Sequence, residues 1–406
     1  MQTLQPSEMR LRILHAIGSV NPATGGPIEG VKQIAKINQE YGHQVELLTL
    51  DAPDDPWVKN FHLPVHAMGP SYTRYGYTPK WVPWLRANAD HYDAVIINGI
   101  WGYNCFGTWR VLRKTRLPYY VYAHGMLDPW FKYRYPLKHV KKWLFWPWAV
   151  YPALRDARGV LFTCEEERLL ARESFWLYDC SEIVVNYGTP GPPEPDQDYA
   201  AAFLEKHPAL KGLRRFVFLG RVHPKKGPDI LIRAITRLRD LGQWDPGTMR
   251  LIMAGPADDR YADGLRRLAR RLGVDTSIYW TGMLLDDDKW GALQCAEAFV
   301  LPSHQENFGI AVVEALSLGV PVLITQPVNI WADIIADGAG LAASDDLNGC
   351  VDLYERWFAL TDGQRAEMGR QAKGCFSRRY SARRAAVSLV SNIYQAMLAQ
   401  RETMLP

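Results

Sequence analysis

The sequence predicts an α/β protein of parallel sheets in two domains, on three observations. Residues 299–325, FVLPSHQENFGIAVVEALSLGVPVLIT, read as strand, polar loop, helix and second buried strand. That is the repeating unit of a parallel sheet covered by helices. Short apolar runs recur along the chain, at 12–17, 44–50, 94–98, 119–123, 160–163 and 183–186, then at 216–219, 250–255 and 278–281. Finally, 406 residues suffice for two hydrophobic cores, and five prolines and glycines crowd into 188–193 as a linker. The domains expected are 1–190 and 191–380, followed by a helical segment, 381–406.

Composition narrows the function classes. Apolar residues are 48% and charged residues 22%, as in an ordinary soluble globular chain. The six cysteines include no C-x-x-C pair. They read as buried thiols of a reducing compartment, not as a disulfide frame or zinc site. Residues 1–10 are polar and lack a secretory hydrophobic stretch. No run reaches the ~18 uninterrupted apolar residues of a spanning helix. A net charge of +4 permits an anionic ligand or a membrane surface without demanding either. The expectation is a cytoplasmic protein with no nucleic-acid partner.

The 303–309 loop follows a strand's carboxyl end, where open α/β sheets place their ligands. Backbone amides of Asn307, Phe308 and Gly309 are expected to be exposed there and to run into a helix N-terminus, which favours an anion. Glu306 on the loop and Glu314 on the helix are eight apart, so both can face one ligand. A carboxylate accepts two hydroxyl hydrogen bonds, which suits a sugar or ribose diol.

With its context PSHQENFG and EALSLGVPV, this segment resembles the E-x7-E motif of the retaining family 4 glycosyltransferases. The resemblance implies the GT-B fold, two Rossmann-like doubly wound domains facing a central cleft, with 381–406 packing back towards the first. It also implies a nucleoside-diphosphate sugar donor, UDP- or GDP-linked. Glu314 then takes the donor ribose, and Glu306 a hydroxyl of the donor sugar.

Other motifs fall into place around it. After the strand 12–17 comes GSVNPATGGPIEG, where Gly25-Gly26 leads into a helix at 30–41. Glycines let backbone approach a phosphate closely. The spacing is not the dinucleotide G-x-G-x-x-G, and Asp51 is the one acid near the next strand end. An ordinary strand-to-helix turn fits the residues equally well, whereas the resemblance sets Gly25 and Gly26 against the donor diphosphate. His124 ends the strand 119–123. A lone histidine is usually structural, but YAHGMLDPW resembles the family's His-Gly, implying contact with the transferred sugar.

GRVHPKKG resembles the family's G-R-x(3–4)-K-G segment, so Arg221 and Lys226 are the residues expected to neutralise the donor phosphates, with Lys225 as an adjacent candidate. The loop with Met283 corresponds to the one that holds the base through main-chain atoms. The segment Asn186-Tyr187-Gly188 departs from the family's N-G-[IV]-D pattern, and no role is carried over to it. Asp286, Asp287 and Asp288 suggest a metal, but they precede a helix at 289–296 and have sufficient work at its N-terminus. No metal and no cofactor are expected.

Residues 128–154 mix Lys and Arg with Trp, Tyr and Phe. One reading is a basic-aromatic surface for lipid headgroups or a lipid-linked acceptor. The other is helices whose aromatic faces pack inward. Pro136, Pro147 and Pro152 exclude a single long helix. The resemblance implies a retaining transferase acting on a glycan or polyprenyl-linked acceptor, in cell-surface polysaccharide synthesis. A nucleotide-sugar epimerase and a non-catalytic nucleotide-sugar-binding subunit are the alternatives.

Overall fold

Strands that are apolar along their whole length, as Tyr119–Tyr122 (YYVY) and Gly159–Phe162 (GVLF) are, must be covered on both faces, and parallel sheets flanked by helices do this. The computed structural model describes residues 10–185 and 187–402. Two compact units emerge: one runs to Gly188 and takes up the chain again from Ala382, the other is Thr189–Ser381. The first holds β1 (Arg12–Ile17), β2 (Gln44–Thr49), β3 (Val65–Ala67), β4 (Ala94–Asn98), β5 (Tyr119–Tyr122), β6 (Gly159–Phe162) and β7 (Glu182–Val184). They lie in the order β3-β2-β1-β4-β5-β6-β7, paired in parallel, with Ile13 opposite both Val45 and Ala94.

The second unit holds β8 (Arg214–Leu219), β9 (Met249–Ala254), β10 (Ile278–Gly282), β11 (Ala298–Leu301), β12 (Val322–Thr325) and β13 (Gly340–Ala343). Their order is β10-β9-β8-β11-β12-β13, again parallel. In both sheets the strand order reverses beside the first strand, between β1 and β4 and between β8 and β11. Those reversal points open the crevices in which doubly wound sheets bind ligands.

Two apolar layers flank the first sheet. Leu14, Val95, Ile97, Val121 and Val160 pack with Trp81 and Trp146 in one. Ile17, Val45 and Leu47 pack with Ile28 and Val31 of the Gly26–Glu40 helix in the other. The closing Ala382–Glu402 helix lies against Gly26–Glu40 and buries Ala386, Leu389, Val390 and Ile393. In the second unit the Pro228–Asp240 helix buries Ile230, Leu231, Ala234, Ile235 and Leu238, each worth ~1.5–3 kcal/mol as a buried aliphatic of Leu or Ile size and less for alanine.

Several boundaries differ from those expected. The helix placed at 30–41 starts at Gly26, because Pro27 fits a helical first turn and Gly25, at φ +92°, ends the turn before it. Asp286, Asp287 and Asp288 do not precede a helix. They form the first turn of Asp286–Gln294, where the dipole favours acids. The strand expected at 183–186 is Glu182–Val184, and Asn186 and residues 1–9 lie outside the described residues. In 128–154, Pro136, Pro147 and Pro152 each sit in the first turn of a new segment: Pro136–Phe145, Trp146–Val150 and Tyr151–Arg155. None of the six thiols is in a disulfide. Among the described residues no helix is long and apolar enough to cross a membrane.

Candidate functional site

The crevice between β8 and β11 is built by glycines that let two loops touch. A Cβ on Gly227, which is left-handed at φ +65°, would lie 2.2 Å from the Pro302 carbonyl oxygen. The same contact zone is laced by hydrogen bonds. The Lys225 carbonyl accepts from the Ser303 hydroxyl at 3.1 Å and from the His304 amide at 2.8 Å. Thr325 donates to the Ser303 carbonyl at 2.6 Å. Further along, the Glu306 amide donates to Pro327 and its carbonyl accepts from Asn329. The loop is therefore held from both sides.

Into this crevice come Arg221, Lys226 and Glu306. The Lys226 ammonium pairs with the Glu306 carboxylate, both half-buried. Burial, then the charges of Lys225 and Arg221, push the Lys226 amine down to about 7. The Glu306 carboxylate pulls the other way. Arg221 is exposed, so its planar fork of donors faces solvent.

Glu314 has a different partner. It is buried in the Ile310–Ser317 helix, and Lys289 donates to its Oε1 at 2.6 Å. Burial raises its carboxyl above the usual range, while Lys289 opposes the shift. The two glutamates therefore engage different lysines, Glu306 with Lys226 and Glu314 with Lys289. Met283 and its neighbour Leu285 are exposed just before the Asp286–Gln294 helix that carries Lys289.

The loop amides depart from expectation. Gly309 caps the Ile310–Ser317 helix at φ +73°, but Phe308 and Gly309 are buried and Asn307 is half-buried. The reason is packing, since the Phe308 ring meets Tyr380 edge-on at 5.7 Å.

In the first unit the side chains that end β1 and β4 and follow β5 at the corresponding crevice are neutral. His124 follows β5 at φ +48°, a left-handed turn rare for a non-glycine residue. Its Nε2 lies 3.1 Å from Asn98 Oδ1 at the end of β4. Asn98 Nδ2 donates to the Ile96 carbonyl at 3.2 Å and meets His15 Nδ1 on β1 at 3.3 Å. A carbonyl can only accept, so the amide orientation is settled and Nε2 of His124 must carry the hydrogen. Nδ1 is left as the acceptor. Burial pushes His124 down to about 4; burial and then the charge of His124 push His15 to about 3.

Two residues hold this turn in place. The buried Glu167 carboxylate accepts from the Gly125 amide and from the Thr163 amide and hydroxyl, each at 2.7 Å. Tyr187 lies edge-on to His124 and donates to the Gly26 carbonyl at 3.3 Å. The structure thus links Gly26 to His124 through a side chain that sequence reading left without a role. A Cβ on Gly30 would overlap the Tyr187 hydroxyl, so that helix position must be bare. Asp51 is engaged within the fold. Its carboxylate accepts from Ser19, the Val20 amide and Thr49, and so clamps the loop ahead of Gly25.

Lys289, Asn98, Tyr187 and Glu167 were missed. Lys289 directly follows three aspartates that drew attention to metal, and Asp288 in fact pairs with Lys206 at 2.6 Å. Among the described residues no group of three His, Cys, Asp or Glu side chains is set to hold a metal.

The known proteins agree with this architecture. Residues 25–187 match the family described as glycosyl transferase 4-like domain, and residues 201–373 that described as glycosyl transferases group 1. D-inositol 3-phosphate glycosyltransferase of Mycobacterium marinum is 30% identical over 188 residues. That is 45% of this chain, and the chain spans 36% of that relative's length. Anabaena Alr3699/HepE in complex with UDP superposes at TM-score 0.73 with 18% identity, over 98% of this chain and 100% of that one. Sucrose-phosphate synthase of Thermosynechococcus elongatus does so at 0.73 and 18%, over 96% and 100%. With both units matched in turn and the two sheets wound alike, the chain belongs to the group 1 glycosyltransferases and has their GT-B fold.

Proposed function

We propose that the protein is a retaining glycosyltransferase that moves a sugar from a nucleoside-diphosphate sugar to a hydroxyl of a glycan or polyprenyl-linked acceptor, in cell-surface polysaccharide synthesis at the inner face of the membrane. The observation that carries this is the exposed Arg221 beside Lys226 at the strand-order reversal of the second sheet. The UDP bound by the Anabaena neighbour favours a UDP-linked donor over a GDP-linked one.

In this reading Arg221 binds the diphosphate as a fork and Lys226 as a point charge. The ribose hydroxyls donate to Glu314, with Lys289 sharing that carboxylate. Lys226 turns from Glu306 to the phosphate, which frees Glu306 for a hydroxyl of the transferred sugar. The anomeric carbon–phosphate bond breaks and the acceptor oxygen bonds from the same face. A phosphate oxygen takes the acceptor's proton. His124 stays neutral and accepts a hydroxyl hydrogen at Nδ1, because Nε2 is engaged with Asn98. Stabilising charge on the departing group is often the largest catalytic contribution. Two cations can supply it in place of the divalent metal of D-x-D enzymes.

Calorimetric titration with UDP, GDP and ADP, then with their sugar conjugates, tests the reading. UDP binding with turnover that survives EDTA is the expected result. If none of the three binds, the Arg221 and Glu314 assignments fail together.

A further inference from the structure

Outside the crevices, the most unusual surface belongs to the Pro136–Phe145 helix. Leu137, Val140 and Leu144 are 86%, 60% and 69% exposed, an i, i+3, i+7 stripe turned to solvent. The opposite side of the same helix faces inward: His139 stacks on Phe175 at 4.7 Å, and the Lys142 ammonium sits 4.4 Å from the Trp101 ring centre. A helix whose other side already packs inward, half-buried, does not need a second apolar stripe for folding. Exposed apolar patches of this kind mark binding surfaces.

Aromatic rings extend the stripe. Trp148 is 54% exposed, anchored by its indole N–H to the Leu144 carbonyl at 2.7 Å. Trp176 is 70% exposed and stacks on Trp143 of the helix at 5.6 Å. Between 129 and 155 there is no acid, against Lys132, Arg134, Lys138, Lys141, Lys142 and Arg155. Arg134, Lys138 and Lys141 are exposed around the stripe, and Lys138 lies over the Tyr135 ring at 4.7 Å.

We propose that this outward face docks the protein in the interfacial layer of an anionic phospholipid bilayer. Leu137, Val140 and Leu144 enter the acyl boundary, Trp148 and Trp176 sit at headgroup depth, and the cations meet lipid phosphates. Charge decides among the occupants. A second copy seated symmetrically would bring Lys138 and Lys141 against their equivalents, with no acid of this stretch to offset them. An anionic membrane satisfies the apolar stripe and its basic surround together, each exposed cation adding attraction near the surface. The 128–154 stretch is thus both things that sequence reading held open: Trp146, Ala149 and Val150 are core, and the Pro136–Phe145 stripe is surface.

Flotation of the full chain with vesicles tests this without any nucleotide, so its outcome is separate from that of the transferase reading. Expected are binding to vesicles of phosphatidylcholine and phosphatidylglycerol in equal parts, release by high salt, and a blue shift of tryptophan fluorescence. Neither binding nor the blue shift is expected with phosphatidylcholine alone. Combining Leu137→Gln, Val140→Gln and Leu144→Gln should abolish flotation and leave the thermal midpoint in place. Lys138→Gln with Lys141→Gln should weaken partitioning about tenfold or more. Equal binding to neutral vesicles, or none to anionic ones, overturns the proposal. So does concentration-dependent dimerisation that the glutamine variant abolishes while vesicles remain unbound.

Discussion

The two units share one topology and use their crevices in opposite ways. At the β8/β11 reversal stand cations: Arg221 in solvent and Lys226 against Glu306. At the β1/β4 reversal stands a neutral chain, the buried His15 and Asn98 and the half-buried His124. Burial depresses both histidines and Lys226, so in each crevice desolvation works against charge. In the second unit a carboxylate and an incoming anion can restore the charge. In the first, hydrogen bonds between neutral groups make it unnecessary. One fold can therefore present cations in one crevice and neutral side chains in the other by changing which residues end the same strands.

The largest effect should follow Lys226→Ala. It leaves the Glu306 carboxylate half-buried without its cation and removes a phosphate contact, a loss of ~2–5 kcal/mol as for a broken buried pair. That corresponds to roughly thirtyfold or more in kcat/KM, with a lowered thermal midpoint; unchanged kinetics would remove Lys226 from the site. Arg221→Ala should lose ~1.5–3 kcal/mol of diphosphate interaction with no change in stability, since Arg221 is exposed. A destabilised variant, or normal turnover, would contradict that contrast.

pH separates the units more finely. Lys226 is held near 7, and a bound diphosphate would favour its charged form, so nucleotide binding takes up a proton. Affinity should then fall as pH rises through about 7, and Lys226→Arg should flatten the profile. A flat wild-type profile would count against the assignment. His15 behaves oppositely. Its folded pKa, about 3, lies below the unfolded value, so the unfolded chain binds the proton first on acidification. The first unit's stability should be full above pH ~6.5 and fall as pH drops towards 4. Thermal midpoints across that window, compared with His15→Gln, check the sign.

The smallest effect belongs to Asn98→Leu. It removes the acceptor that fixes the hydrogen on His124 Nε2, a net loss of ~0.5–1.5 kcal/mol as for a neutral hydrogen bond. Turnover should fall more than UDP affinity does. An equal fall in both would mean that the residue serves only the fold.

Much of this could be read in one dimension. Periodicities of two and 3.6 are local, so every strand of the second sheet up to β12 was visible as a run of residues, as were the helices Gly26–Glu40, Pro228–Asp240 and Ile310–Ser317, whereas Tyr103–Leu112 and Asp259–Arg271 were not read. The loop motifs were visible for the same reason, because a glycine, an arginine and a lysine within eight residues need no partner to be seen. Lys289 was not, since it reaches Glu314 only when two helices of the second unit come together. His15, Asn98 and His124 come from three strands brought side by side by the sheet.

By itself the sequence determined the parallel α/β architecture, the strand ends at which ligand loops occur, and the residue types those loops carry. Each depends on neighbours a few positions away. Only the tertiary structure decided which carboxylate each lysine meets, which histidine nitrogen holds its hydrogen, and which side of the 128–154 aromatics faces water. Those outcomes depend on contacts between distant segments, whose energies exist only once the sheets have assembled.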